Sequence, residues 1–163
     1  MSKVAVIYWS GTGNTKMMAE AVSEGAKNAG ADVSLLNVSE TNAAEAASFD
    51  VLALGCPAMG GEVLEEMEFE PFFTELESKL SGKKVALFGS YGWGDGQWMR
   101  DWQERTSLAG AEIISGEGLI LNETPDESGL EQCRELGKTA WHNFIFDFLL
   151  FRFPVLRICV SST

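Results

Sequence analysis

The chain has 163 residues, 45% of them hydrophobic and 22% charged, the profile of one domain able to bury roughly two thirds of the surface its unfolded chain exposes. Twelve basic side chains against twenty-four acidic ones give a net charge of -12, which disfavours nucleic acid and anionic membranes and favours cationic protein partners. Cys56, Cys133 and Cys159 are odd in number and have no paired spacing, so neither a disulfide framework nor a metal site is indicated, and a reducing cytoplasm is expected.

Met1, Ser2 and Lys3 lead directly into a strand pattern, without the make-up of a secretory signal, so no export is expected. Strands are predicted at 3–9, 32–38, 50–55, 84–90 and 112–122, and the first, third and fourth are almost continuously apolar, as strands covered on both faces require. Helices are predicted at 14–29 with Gly30 as the stop, near 41–48, at 71–80, at 97–108 and from about Asp126 onward. Right-handed crossovers between such units build an α/β, doubly wound, five-stranded parallel sheet with helices on both faces. Ligands bind these sheets beyond the carboxyl ends of the strands, where three loops of this chain fall.

The first loop, Ser10-Gly11-Thr12-Gly13-Asn14-Thr15, joins an apolar strand to a helix and has the make-up of a phosphate cradle. It lacks the Gly-Lys-Ser/Thr ending that holds a triphosphate, and Thr15 stands in place of the third glycine of a dinucleotide loop. Uncharged donors alone suit one terminal phosphate. The second loop runs Pro57, Ala58, Met59, Gly60, Gly61, Glu62, and the third runs Ser90, Tyr91, Gly92, Trp93, Gly94, Asp95. Singly, Met59 and Trp93 are more often packing residues, and loop glycines more often only make turns. Converging on one sheet edge with a phosphate cradle, they match a ligand with a phosphate tail and a planar head, the shape of flavin mononucleotide (FMN).

The segments SGTGNT, AMGGE and SYGWGDG, with EPFF and GKKVALFG between them, resemble the short-chain flavodoxins of anaerobic bacteria over about residues 3–140. The resemblance implies strand order 2-1-3-4-5 in a domain spanning 1–140, with non-covalently bound FMN as cofactor. It implies a low-potential one-electron carrier that shuttles between flavin semiquinone and hydroquinone for basic redox partners such as reductases and oxidoreductases, as a cytoplasmic monomer. By the same resemblance, residues 10–15 hold the 5'-phosphate, Met59 and Trp93 flank the isoalloxazine, and Glu62 accepts from its N3-H. The amides near Gly92 and Gly94 approach the pyrimidine oxygen, while Ser90 and Tyr91 line the same edge. Pro57 stands where one family member has Ser, so it offers no hydroxyl. Family members turn over the peptide after the first residue of the Gly60-Gly61 pair on reduction, and a type II turn there needs positive φ at Gly61.

No loop pairs a nucleophile with a base, and His142, the one histidine, falls away from the sheet edge in a surface or packing role. No catalytic residue is therefore assigned, and the chemistry is the cofactor's. Glu62, Glu65, Glu66, Glu68, Glu70 and Asp95 fall on or beside the flavin loops, where they form either an acidic rim that lowers the second potential or a merely solvated face. A carboxylate about 10 Å from an anionic hydroquinone raises its energy by up to about 1.7 kcal/mol at an effective dielectric of 20.

Residues 141–163 depart from the family pattern as an aromatic carboxyl-terminal extension that is not a separate domain. Leu130, Cys133, Leu136, Ala140, Trp141, Phe144 and Phe148 keep helical spacing, so the last helix is expected to run on to Pro154, exposing Phe and Leu past the core. The segment is too short and too charged for a transmembrane helix, leaving a surface contact or a loose end as its readings. The rival function is an FMN-dependent NAD(P)H or quinone reductase, which needs room over the flavin where Trp93 stands. A phosphorylatable receiver is excluded by Tyr8, Trp9 and Ser10 at the positions its carboxylates require.

Overall fold

A computed structural model describes residues 3–152. The elements follow in the order β1 (Lys3–Tyr8), α1 (Asn14–Asn28), β2 (Asp32–Asn37), α2 (Ala43–Ala46), β3 (Val51–Gly55), α3 (Phe69–Glu77), β4 (Lys84–Tyr91), α4 (Gln97–Leu108), β5 (Glu112–Ile113), β6 (Leu119–Asn122) and α5 (Glu127–Arg152). All pairings within the sheet are parallel and the order is β2-β1-β3-β4-β5, with β6 also paired to β4. This is the doubly wound sheet expected from the alternation of apolar runs and helical patterns.

The continuously apolar strands divide their side chains between two cores because successive residues of a strand face opposite sides. Ala5, Ile7, Leu52, Leu54, Val85 and Leu87 pack under α3 and α4 with Phe69, Phe73, Trp98 and Trp102. Val4, Val6, Val51, Ala53, Ala86 and Phe88 pack under α1 and α5 with Met18, Val22, Cys133 and Trp141.

Three expectations are corrected. The fifth strand is split: after Ile113 the chain makes a 3-10 turn in which Ser115 takes φ 65, and only at Leu119 does it rejoin β4. Its apolar run carried no sign of this except Gly116 and Gly118. The third helix starts at Phe69 rather than at Pro71, which sits inside the first turn, where proline's missing N-H is no loss. The predicted helix near 41–48 shrinks to Ala43–Ala46, capped by the Asn42 side chain accepting from the Glu45 N-H at 2.9 Å.

The helix α5 runs unbroken past Ala140 to Arg152, and the predicted stop at Pro154 lies outside the described residues. Its continuation is not wholly outside the core, as the helical spacing had suggested: Trp141 is buried, and Phe144 and Ile145 pack on the same cluster. One turn on, Asp147 pairs with Lys84 at 2.6 Å, fastening the extension to the first residue of β4.

Candidate functional site

The carboxyl ends of β1, β3 and β4 bring the three loops together. Backbone bonds tie them: the Trp9 N-H donates to the Gly55 carbonyl at 3.0 Å, and the Ala58 N-H donates to the Ser90 carbonyl at 3.0 Å. The ordered close of these strands fixes where each loop side chain stands.

In the first loop, Gly13 takes φ 95 as it enters α1, and the Ser10 hydroxyl accepts from the Gly13 N-H at 3.1 Å. The helix has no side-chain cap and no acidic residue in its first turn. Its first N-H groups have no intrahelical partners, so the end of α1 is a positive, donor-rich cradle. Thr12 is exposed and Asn14 half-buried, whereas Thr15 is buried. The Thr15 hydroxyl meets the Ser90 hydroxyl at 3.0 Å and accepts from the Ser90 N-H at 3.4 Å, so it faces β4 rather than the open loop. Its neighbour in sequence gave no hint of that partner.

In the second loop, the Glu62 N-H donates to the Met59 carbonyl at 3.0 Å, and the Met59 N-H donates to the Val63 carbonyl at 2.9 Å. The turn has Gly61 at φ 79 and nothing within 4 Å of a Cβ added to Gly60 or Gly61. That is the type II arrangement, with open space where a Cβ on either central residue would stand. Glu62 follows at φ 56, a conformation that costs a non-glycine residue on the order of 1 kcal/mol. One carboxylate oxygen, Oε2, accepts from the Trp98 N-H at 3.1 Å, at the start of α4, whose own cap residue Gly96 has no side chain to offer. The other, Oε1, is buried and has no hydrogen-bond partner. A Cβ on Gly94 would overlap it, so the third loop must carry glycine there for Glu62 to lie where it does.

In the third loop, Trp93 is 72% exposed, while Met59 of the second loop is half-buried. Gly92 and Asp95 are exposed, and Pro57 and Ala58 are half-buried. Tyr91 turns inward, its ring 5.8 Å from that of Trp98. Two residues that sequence patterning passed over hold this loop. The Trp98 indole N-H donates to the Cys56 carbonyl at 3.1 Å, and the Asn122 amide donates to the Gly92 carbonyl at 2.8 Å. Asn122 ends the broken fifth strand, so its role was visible only once the strand was placed beside β4.

The acidic rim is smaller than the sequence suggests. The Glu65 carboxylate is buried and accepts from the N-H groups of Met67, Glu68 and Phe69 at 2.8, 2.8 and 2.9 Å, capping α3. Burial pushes its pKa up, but these three donors outweigh it and hold the carboxyl below the usual carboxylate range. Glu70 pairs with Arg105 at 2.9 Å and Asp95 with Arg100 at 2.9 Å. Glu66 and Glu68 stay exposed and, among the described residues, without a cationic partner. Burial pushes the Cys56 thiol far above its ordinary value, and that thiol accepts from the Glu65 N-H at 3.3 Å, which makes it a packing group. No group of three potential metal ligands occurs among the described residues.

Residues 6–137 match the Flavodoxin family. The chain belongs to the flavodoxin family. It is 54% identical to the flavodoxin of Clostridium beijerinckii over 133 residues, 82% of this chain and 95% of that one. It is 53% identical to the flavodoxin of Megasphaera elsdenii over 137 residues, 84% of this chain and 97% of that one. The solution structure of two-electron reduced Megasphaera elsdenii flavodoxin superposes with a TM-score of 0.78, covering 85% of this chain and 98% of that one at 52% identity. As a flavodoxin, the chain is an electron-transfer protein rather than an enzyme, and FMN is its cofactor. The residues present fit that group: an uncapped α1 end for a phosphate, an unpartnered Glu62 oxygen for a ring N-H, and Trp93 and Met59 as apolar surfaces.

Proposed function

We propose that this flavodoxin is a low-potential carrier of single electrons, working between the half-reduced and fully reduced forms of FMN and docking with basic redox proteins as a monomer in the cytoplasm. The residues 10–15 hold the phosphate, Glu62 takes the ring N3-H, Trp93 and Met59 cover the two faces of the ring, and the amides of the 90–95 loop take the pyrimidine oxygen. FMN itself supplies the redox chemistry. The chain's own part is to orient it, limit water at its faces and offer or withhold a hydrogen-bond acceptor in the 59–62 turn.

The observation that carries this reading is that turn. Both central residues are glycine, Gly61 holds φ 79, and no atom lies within 4 Å of where a Cβ would stand on either, so no side chain of the turn opposes reversal of its central peptide. An acceptor that appears in only one redox state stabilises the half-reduced form, which a single-electron carrier needs and a hydride-accepting reductase does not. The domain read as 1–140 carries all three loops, and among the described residues the extension packs by Trp141, Phe144 and Ile145 on the α1 side of the sheet and by Asp147 on Lys84.

An anaerobic redox titration of the FMN-loaded protein tests the reading. Two separated one-electron steps, with no oxidation of NAD(P)H by the protein alone, are expected. A single two-electron step with direct hydride uptake would favour the reductase.

A further inference from the structure

The break in the fifth strand decides which side chain stands beside the third loop. In β5 Glu112 lies opposite Lys84, 28 positions earlier in the chain, whereas in β6 Asn122 lies opposite Tyr91, 31 positions earlier. The 3-10 turn between the two strands therefore takes up three residues. An unbroken strand in the register of β5 would set Leu119 opposite Tyr91, and leucine has no side-chain donor. The detour sets the amide of Asn122 there instead. We propose that Asn122 is a positioning residue for the flavin: by holding two successive carbonyls of the third loop, it aims two N-H groups at the pyrimidine edge of the ring and favours its fully reduced form.

The aim follows from the planar trans peptide, whose carbonyl and N-H point in opposite directions. The Asn122 amide donates to the Gly92 carbonyl at 2.8 Å and to the Tyr91 carbonyl at 3.3 Å, and the Glu123 N-H donates to the Tyr91 carbonyl at 2.7 Å. Phe88 pairs with Gly55 of β3 and with Leu119 of β6, so these two strands flank β4. Successive carbonyls of a strand alternate between its flanks. The Ser90 carbonyl faces the β3 side, where it takes the Ala58 N-H at 3.0 Å, and the Tyr91 carbonyl faces β6. Gly92 breaks the alternation, because its carbonyl also faces β6. The N-H groups of Gly92 and Trp93 are thereby both turned away from β6, toward the side of β3 and β1 that carries the other two loops. Among the described residues neither has a backbone acceptor.

The proposal rests on the assignment of the 90–95 loop to the pyrimidine oxygen. Two neighbouring N-H groups turned to one side favour an anion. Negative charge gathers at the pyrimidine edge on full reduction, and donors fixed there beforehand stabilise that form more than the neutral ones. Gly92 brings no side chain to hold its own peptide, and nothing lies within 4 Å of where one would begin. Asn122 supplies the hold from outside the loop.

The experiment compares the FMN-loaded parent with Asn122→Ala and Asn122→Gln by anaerobic spectroelectrochemistry. Alongside it, NMR of isotope-labelled protein follows the Gly92 and Trp93 amides as FMN is added to the FMN-free form. Asn122→Ala is expected to favour the fully reduced form about threefold to tenfold less, the range of one hydrogen bond, which lowers the second potential by about 30–60 mV. The first potential should move little, and Asn122→Gln, which keeps the amide on a longer stem, should recover part of the shift. A side chain that merely braces β6 would weaken FMN in every redox state and leave the gap between the two potentials unchanged. That result, with both amides shifting on FMN addition to the parent, overturns the positioning role and leaves the loop assignment standing. Amides of Gly92 and Trp93 that FMN does not shift overturn the loop assignment and the proposal with it.

Discussion

Thr15 and Ser90, 75 residues apart in sequence, share a hydroxyl-to-hydroxyl hydrogen bond of 3.0 Å in the buried space between the phosphate loop and β4. Thr15 thus ties the start of α1 to the strand that ends in the Trp93 loop. Replacing it with valine keeps the shape but leaves the Ser90 N-H without its Thr15 acceptor and the buried Ser90 hydroxyl without its partner, a loss of about 1–3 kcal/mol. Thr15→Val is expected to lower the urea midpoint of the FMN-free protein and weaken FMN binding. Ser90→Ala retains the Thr15 acceptor for the Ser90 N-H and should lose less. Unchanged unfolding in Thr15→Val would show the bridge to be dispensable.

Glu62 does two jobs with one carboxylate: Oε2 caps α4 through the Trp98 N-H, and Oε1 waits, buried, for a donor. Loss of one charge-assisted hydrogen bond is worth about 1.5–3 kcal/mol, or roughly a tenfold to hundredfold change in affinity. Glu62→Gln is expected to weaken FMN binding within that range and to raise the second potential, because a negative charge beside the reduced ring is gone. Gly94→Ala should weaken FMN by a similar factor through a different route, since the new Cβ overlaps Glu62 Oε1. Fluorescence titration of the apoprotein with FMN measures both, and full affinity in Gly94→Ala would refute the steric link.

Much of this site was legible in the sequence because its parts are local. A glycine-rich loop between an apolar run and a helix announces itself, and Gly60-Gly61 specifies a turn from two residues alone. What was not legible depends on contacts across the fold. Glu65 reads as one more rim carboxylate until α3 is seen to start at Phe69, which places its side chain on three orphan N-H groups. Glu70 and Asp95 lose their apparent freedom only when α4 brings Arg105 and Arg100 beside them. The split of the fifth strand was signalled only by Ser115, Gly116, Glu117 and Gly118 between two short apolar runs, too brief a break to show in the sequence that Ser115 and Gly116 take positive φ there.

Gly61 holds φ 79, where a β-branched residue pays about 1–2 kcal/mol or more. In Gly61→Val the turn is expected to settle in a different conformation that no longer offers its acceptor on reduction. Each 1 kcal/mol lost from the half-reduced form lowers the first one-electron potential by about 40 mV. Spectroelectrochemistry should therefore show a smaller maximum of the half-reduced form, with Gly61→Ala intermediate. An unchanged maximum in the valine variant would disconnect the turn from redox control.

Glu65 makes the stability of the α3 start depend on pH. Its folded pKa lies below the unfolded value, so its contribution is fully present above about pH 4.3 and is lost as pH falls through the folded value. Glu65→Gln is expected to be less stable than the parent by about 1–2 kcal/mol at pH 7, in line with loss of a helix cap. The gap should narrow as pH falls below about 4.3, where the unfolded chain takes up the proton before the folded one does. Urea unfolding of both proteins at pH 7 and pH 3 gives the comparison, and a gap of the same size at both would mean that Glu65 acts through packing instead.

The pairing of Glu70 and Asp95 leaves Glu66 and Glu68 as the free carboxylates of the 59–70 segment. Unpaired exposed charges act at a distance of up to about one Debye length, whereas a carboxylate facing a guanidinium is largely cancelled there. Glu66→Gln with Glu68→Gln is thus expected to slow electron transfer to a basic partner severalfold at low ionic strength and to raise the second potential by tens of millivolts. Both effects should fade at high salt, because the charge contribution is screened equally in parent and variant. Glu70→Gln removes one of the two carboxylates, Glu70 and Glu77, that share Arg105, and its smaller effect is the control. Stopped-flow rates across a salt series separate the two: if Glu70→Gln slows the reaction as much as the double variant does, pairing with Arg105 does not silence that carboxylate and the rim is as wide as the sequence alone suggests.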